Sequence, residues 1–135
     1  MEIAIITGAS SGLGTWYARL LDSEGLDEIW LVARREKRLA TIAQLLTTRT
    51  RILACDLTDP SSIAGLAHLL AETEQPEVRW LINAAGFGRI SSCAELPADD
   101  AARMVDLNCR AAVLLTGAAL PFMGAGSHIM NICSC

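Results

Sequence analysis

The sequence predicts a three-layer α/β domain, a doubly wound parallel sheet with helices on both faces. Two observations carry that prediction. Short apolar, β-branched runs alternate with stretches of helical periodicity along the whole chain, and the first run ends in a glycine-rich turn that opens straight into the first helix. Five strands separated by four helices imply parallel pairing, because right-handed crossovers place the helices over the sheet.

Residues 2 to 7 (Glu-Ile-Ala-Ile-Ile-Thr) form the first run, apolar enough for a strand buried on both faces. The helix after the turn carries Trp16, Leu20 and Leu21 as its expected inward stripe and fades near Gly25. A strand from Ile29 to Ala33 precedes a helix from Glu36 to Leu46, whose stripe is Leu39, Ile42, Ala43 and Leu46. Arg51 to Cys55 is the third strand. Pro60 marks the next helix start, with Ile63, Leu66, Ala67 and Leu70 at helical spacing. Arg79 to Ile82 is the fourth strand, Ala98 to Leu120 a long helix, and Ser127 to Cys133 the fifth strand.

No linker, repeat or low-complexity tract divides the chain, so residues 1–135 read as one domain. The formal net charge of −4, without a run of like charges, offers no footprint for nucleic acid. The N-terminus lacks the basic and apolar regions of a signal peptide, and no uninterrupted apolar run approaches bilayer length; a cytoplasmic, membrane-free protein is expected. Five cysteines, at 55, 93, 109, 133 and 135, are odd in number and scattered, which suits free thiols. Cys133 and Cys135 share a strand face without a second ligand pair, so no metal site is expected.

The turn reads Thr7-Gly8-Ala9-Ser10-Ser11-Gly12-Leu13-Gly14. Glycines there let backbone N–H groups at a helix N-terminus approach a pyrophosphate, and the helix dipole favours the anion. The pattern Thr-Gly-x-x-x-Gly-x-Gly resembles the cofactor signature of the short-chain dehydrogenase/reductases, a family of Rossmann-fold oxidoreductases. Asp56-Leu57 resembles the family's adenine-contacting Asp, and Asn83-Ala84-Ala85-Gly86 its Asn-Asn-Ala-Gly motif, with Ala84 in place of the second Asn. Gly8, Arg34, Asp56 and Asn83 all fall at carboxyl ends of predicted strands, where open α/β sheets bind ligands. The plainer readings are a helix-capping or turn aspartate at 56 and a structural turn at 83–86.

The resemblance implies NADP, with NAD as the alternative. The second strand ends Ala33-Arg34-Arg35: Ala33 matches the position where NAD-preferring members carry Asp, and Arg34 the position where NADP-preferring members often carry Arg. A guanidinium suits the 2′-phosphate. Against this, Ser11 stands where many NADP-preferring members place a second base, and Glu36 could serve a ribose, although it reads better as a helix-start acid. Arg34-Arg35 could also be a solvated loop pair.

Asn108 falls on the expected buried stripe of the long helix (Ala101, Met104, Val105, Asn108, Ala112, Leu115), where an amide must be hydrogen-bonded. By resemblance it is the catalytic Asn that holds a water of the proton relay, and Ser134 the serine that hydrogen-bonds the substrate carbonyl. The family's Tyr-x-x-x-Lys pair is not in this sequence, whose one tyrosine is Tyr17 and one lysine Lys37. The 135-residue chain is therefore expected to bind cofactor and to be catalytically incomplete. Its substrate would be a small carbonyl or alcohol, and the full-length protein a dimer or tetramer. The alternative function is a non-catalytic dinucleotide-binding regulatory or scaffold module.

Overall fold

A computed structural model describes residues 1–133 and contains the elements β1 (Glu2–Thr7), α1 (Gly12–Leu21), β2 (Glu28–Ala33), α2 (Glu36–Ala43), β3 (Thr50–Ala54), α3 (Pro60–Glu72), β4 (Glu77–Asn83), α4 (Ala98–Val105), α5 (Ala111–Ala119) and β5 (His128–Asn131). The strands lie in the order β3-β2-β1-β4-β5, and every pair is parallel. Strand order reverses between β1 and β4, which makes the gap beyond their carboxyl ends the natural ligand crevice.

Alternation along the strands sorts the core into two layers. Ile3, Ile5, Trp30, Val32 and Leu81 face Ile63, Leu66 and Leu70 of α3 and Ala111, Leu115 and Ala119 of α5. Ala4, Ile6, Ile29, Leu31 and Ile82 face Ala18 and Leu21 of α1 and Leu39 of α2. Each large apolar side chain so buried contributes about 1.5–3 kcal/mol. Helix α3 begins as its proline requires: Pro60 occupies the first turn, and Asp59 accepts from the Ser61 N–H at 2.9 Å. At the amino end of the sheet, the buried Glu28 carboxylate is held by Trp30 Nε1 at 2.7 Å and Arg51 Nε at 3.3 Å. A buried acid without such partners would cost several kcal/mol.

Three expectations need correction. In α1 the inward residues are Gly14, Ala18 and Leu21, while Trp16 and Leu20 are 58% and 44% exposed. Small residues on the inner arc let the helix lie close to the sheet, as the turn geometry demands. The long helix is not uniform, since a π-helical turn (Asp106–Arg110) separates α4 from α5 and a 3₁₀ turn (Leu120–Phe122) follows. Its buried positions are Ala111, Leu115 and Ala119, with Leu107 partly buried beside them, so Asn108 and Ala112 lie one residue off the packed line. Val105 is 61% exposed. Finally, the continuous helical stretch Ala98–Phe122 is 25 residues long with a mean hydropathy of 1.2 in its most apolar window, enough by length and composition alone to cross a bilayer. It is no uninterrupted apolar run, since Asp106 and Arg110 break it. In this fold its inner face packs on α3 and β4.

Candidate functional site

The carboxyl ends of β1 and β4 are tied together by one side chain. Thr7 is buried, and its Oγ1 accepts from the N–H groups of Ala84 (3.1 Å) and Ala85 (3.0 Å). Its hydroxyl is thus committed to shaping the strip after β4. Gly8 follows at φ +65°, and a Cβ there would lie 2.7 Å from the Ala84 oxygen. Gly14 is tighter still: its Cβ would meet the Gly8 oxygen at 2.1 Å. These two glycines are needed by the protein's own backbone.

Gly12 differs. Its φ is +55°, yet a Cβ there would meet no protein atom within 4 Å. The open space lies at the first residue of α1, whose N-cap Ser11 makes no side-chain capping bond. Backbone donors left at an uncapped helix start suit an anion. This is a cradle that a side chain would fill.

Two adjoining clefts flank the strip Ala85-Gly86-Phe87, which lines both. The first, of about 150 Å³, gathers Gly8, Ser10, Ser11, Arg34, Arg35, Asp56 and Leu57 from the ends of β1, β2 and β3. The second, about 1070 Å³, gathers Leu13, Asn83, Ala84 and Asn108. Of the residues expected from sequence, Thr7 and Gly14 lie beneath the turn and Gly12 at its rim, while Ser134 lies outside the described residues. The structure adds Thr58, Arg103 and Leu107 to the first cleft, and Thr116, Asn131 and Cys109 to the second. Thr58 adjoins Leu57 in sequence, and Leu107 and Cys109 flank Asn108, whereas Arg103 and Thr116 stand apart from every predicted residue and carry no local sequence signal. Among the described residues no group of His, Cys, Asp and Glu could hold a metal.

Asp56 makes the turn that its plainer reading expects. Its Oδ1 accepts from the Thr58 hydroxyl at 2.7 Å and the Thr58 N–H at 3.0 Å, an aspartate turn that leaves the second oxygen for a ligand. The Thr58 hydroxyl first and then the Thr58 N–H hold its carboxyl below the ordinary value of 3.8 against the opposing effect of burial, with lesser help from the Arg103 and Arg34 guanidiniums. A folded-state value below the unfolded one means stabilisation that is complete above the ordinary carboxylate range and lost as pH falls through the lowered value. Asp56→Asn is therefore expected to cost stability at neutral pH and to flatten the acid limb of the pH–stability curve below about pH 4, as read by thermal unfolding.

Asn108 sits in the π-helical turn and is exposed rather than buried. It is nonetheless satisfied: Nδ2 donates to the Phe87 carbonyl at 2.7 Å and Oδ1 accepts from the Phe87 N–H at 2.9 Å. A Cβ on Gly86 would lie 2.8 Å from that Oδ1, so glycine there admits the amide. Asn83, buried at the end of β4, donates to Thr116 Oγ1 (3.1 Å) and Asn131 Oδ1 (2.9 Å), linking α5 and β5 to the site. Its own Oδ1 has no partner among the described residues.

Residues 2–135 match the family model described as short chain dehydrogenase. The chain belongs to the short-chain dehydrogenase family. It is 30% identical over 135 residues to an uncharacterised oxidoreductase of Staphylococcus epidermidis, covering 98% of this chain and 58% of that protein. It is 34% identical over 141 residues to sulfoacetaldehyde reductase 2 of Chromohalobacter salexigens, covering 97% and 54%. A short-chain dehydrogenase from Sphingobium yanoikuyae, solved in complex with NADPH, superposes with a TM-score of 0.78 at 31% identity, over 90% of this chain and 48% of the other. The chain thus spans about half the length of the family members it matches.

Proposed function

We propose that this chain forms the cofactor-binding part of an NADP-preferring oxidoreductase that interconverts a carbonyl and an alcohol. The observation that carries the reading is the pair of clefts meeting at the glycine turn: a cationic cleft on one side, a roomier one holding Asn108 on the other, and an uncapped helix start at their junction. A two-part ligand with a central diphosphate fits that arrangement. NADPH and sulfoacetaldehyde, carried over from the names of related proteins, are a dinucleotide and an aldehyde, in keeping with it.

When bound, the nicotinamide supplies or accepts hydride. The chain's own residues hold and orient. Backbone donors at the start of α1 and the turn serines Ser10 and Ser11 receive the diphosphate; Asp56 and Leu57 border the adenine side; Arg34, with Arg35, meets the 2′-phosphate. Asn108 fixes the strip between the clefts, and Ser134 polarises the substrate oxygen as hydride transfer builds charge on it. Neither Tyr17 nor Lys37 lines either cleft, so this reading assigns the proton transfer to neither.

The test is cofactor binding by the full-length protein, read by nicotinamide fluorescence. Arg34→Ala is expected to weaken NADPH by roughly 1.5–3 kcal/mol, the worth of a charge-assisted hydrogen bond, and to leave NADH nearly unchanged. Equal losses for both cofactors would remove Arg34 from the 2′-phosphate.

A further inference from the structure

Four charged residues line the first cleft, Arg34, Arg35 and Arg103 against Asp56, which gives +3 − 1 = +2 in a protein of net charge −4. Three of them come from strand ends, as the fold dictates. The fourth, Arg103, comes from the last turn of α4 and lines the same cleft. It takes no part in the cofactor contacts proposed for the strand ends.

The placement of Arg103 is built. The π-helical turn that follows α4 is strapped to the loop after β3, because Arg110 donates to the Thr58 carbonyl while its Nε lies 3.4 Å from Asp106 Oδ1. That loop carries Asp56 and Thr58, so the strap sets the helix wall against the cleft floor. Arg34 and Arg103 both bear on the Asp56 carboxylate, yet among the described residues neither forms an ion pair. Arg35 is turned to the Ser10 hydroxyl at 3.3 Å. Two of the cleft's cations are thus without an ion-pair partner among the described residues, and Ser11 provides no base from the glycine turn.

We infer that Arg103 is a specificity-determining residue that closes on the 2′-phosphate of NADP from α4, together with Arg34, as the second cation the glycine turn lacks. The inference rests on the cofactor reading proposed above. A dianionic phosphate that meets two guanidiniums is held by both, whereas the ribose diol of NAD has no charge for Arg103 to meet. Because both arginines are exposed residues, screening by salt weakens the grip measurably.

The experiment measures dissociation constants of the full-length protein for NADPH, NADH, 2′,5′-ADP and 5′-AMP, by fluorescence and calorimetry, at low and high salt. Arg103→Ala should weaken NADPH and 2′,5′-ADP about tenfold, the loss of one charge-assisted contact, and leave NADH and 5′-AMP within about twofold. Arg103→Lys should keep most of the preference, and Arg34→Ala with Arg103→Ala should erase it. A role confined to packing α4 would move both cofactors together. Equal losses for NADPH and NADH, or no change in either while Arg34→Ala shifts the ratio, would overturn the role of Arg103 and leave the cofactor reading standing. Failure of the unaltered protein to bind either dinucleotide would overturn the cofactor reading and this inference with it.

Discussion

Gly14→Ala is expected to destabilise the protein by roughly 3 kcal/mol and to abolish dinucleotide binding, whereas Gly12→Val should abolish binding while leaving a folded domain. The two glycines sit two residues apart and are needed for opposite reasons. At position 14 the added carbon would lie 2.1 Å from the Gly8 oxygen and 2.5 Å from its carbonyl carbon, both backbone atoms that cannot swing aside. Helix α1 would have to lift from the end of β1, taking Ala18 and Leu21 from the core. At position 12 the protein offers no obstacle within 4 Å, so the intrinsic penalty is the positive φ, about 1–2 kcal/mol, with some strain from the β-branch. What a valine would occupy there is the space proposed for the diphosphate. Thermal unfolding and fluorescence titration separate the cases: a melting temperature lower by on the order of 10 °C for Gly14→Ala, and a smaller drop with no binding for Gly12→Val. Wild-type stability in Gly14→Ala would refute the contact with Gly8; wild-type affinity in Gly12→Val would refute the cradle.

That contrast also shows how far the sequence alone could lead. Position 14 and position 12 belong to one motif, and a pattern of glycines cannot distinguish a residue squeezed by backbone from one left open to a ligand. The strand ends were readable, since alternating apolar runs announce where each strand stops, and Arg34, Asp56 and Asn83 stand at those stops. The inner face of α1 was not. Periodicity finds an arc, and large apolar side chains draw attention to Trp16 and Leu20, while close packing on the sheet selects Gly14 and Ala18. Arg103 is equally hidden, because a charged residue in the last turn of an amphipathic helix reads as a solvated face until the fold brings it into the cleft that also holds Arg34.

The buried stripe expected at Asn108 does not include it in the structure. Its position on a supposed buried stripe demanded a hydrogen-bond partner; it is instead exposed, in the π-helical turn, and has its partners in Phe87. Single π turns inside α-helices recur at functional sites, where they turn one residue away from the regular ladder. Here the turn presents an amide to a backbone segment that lines both clefts.

The second large effect follows from that clamp. Asn108→Leu is expected to lower kcat/KM of the full-length protein about 100-fold while costing only about 1–2 kcal/mol of stability. The two lost hydrogen bonds lie at an exposed edge where water can replace them, whereas a displacement of the strip near 1 Å misplaces bound groups by enough to cost two orders of magnitude. Asn108→Asp makes the sharper test. An aspartate can still accept from the Phe87 N–H, but its other oxygen would face the Phe87 carbonyl, now 2.7 Å from Nδ2. Two acceptors at that distance repel unless the carboxyl is protonated, so its pKa should be raised and the protonated form should restore the donor. Activity of Asn108→Asp relative to the unaltered protein should therefore rise as pH falls from about 8 toward 5, while Asn108→Leu shows no such recovery. If both variants keep kcat/KM within about twofold across that range, the amide does not hold the strip for catalysis, and the clamp seen at Phe87 serves local folding alone.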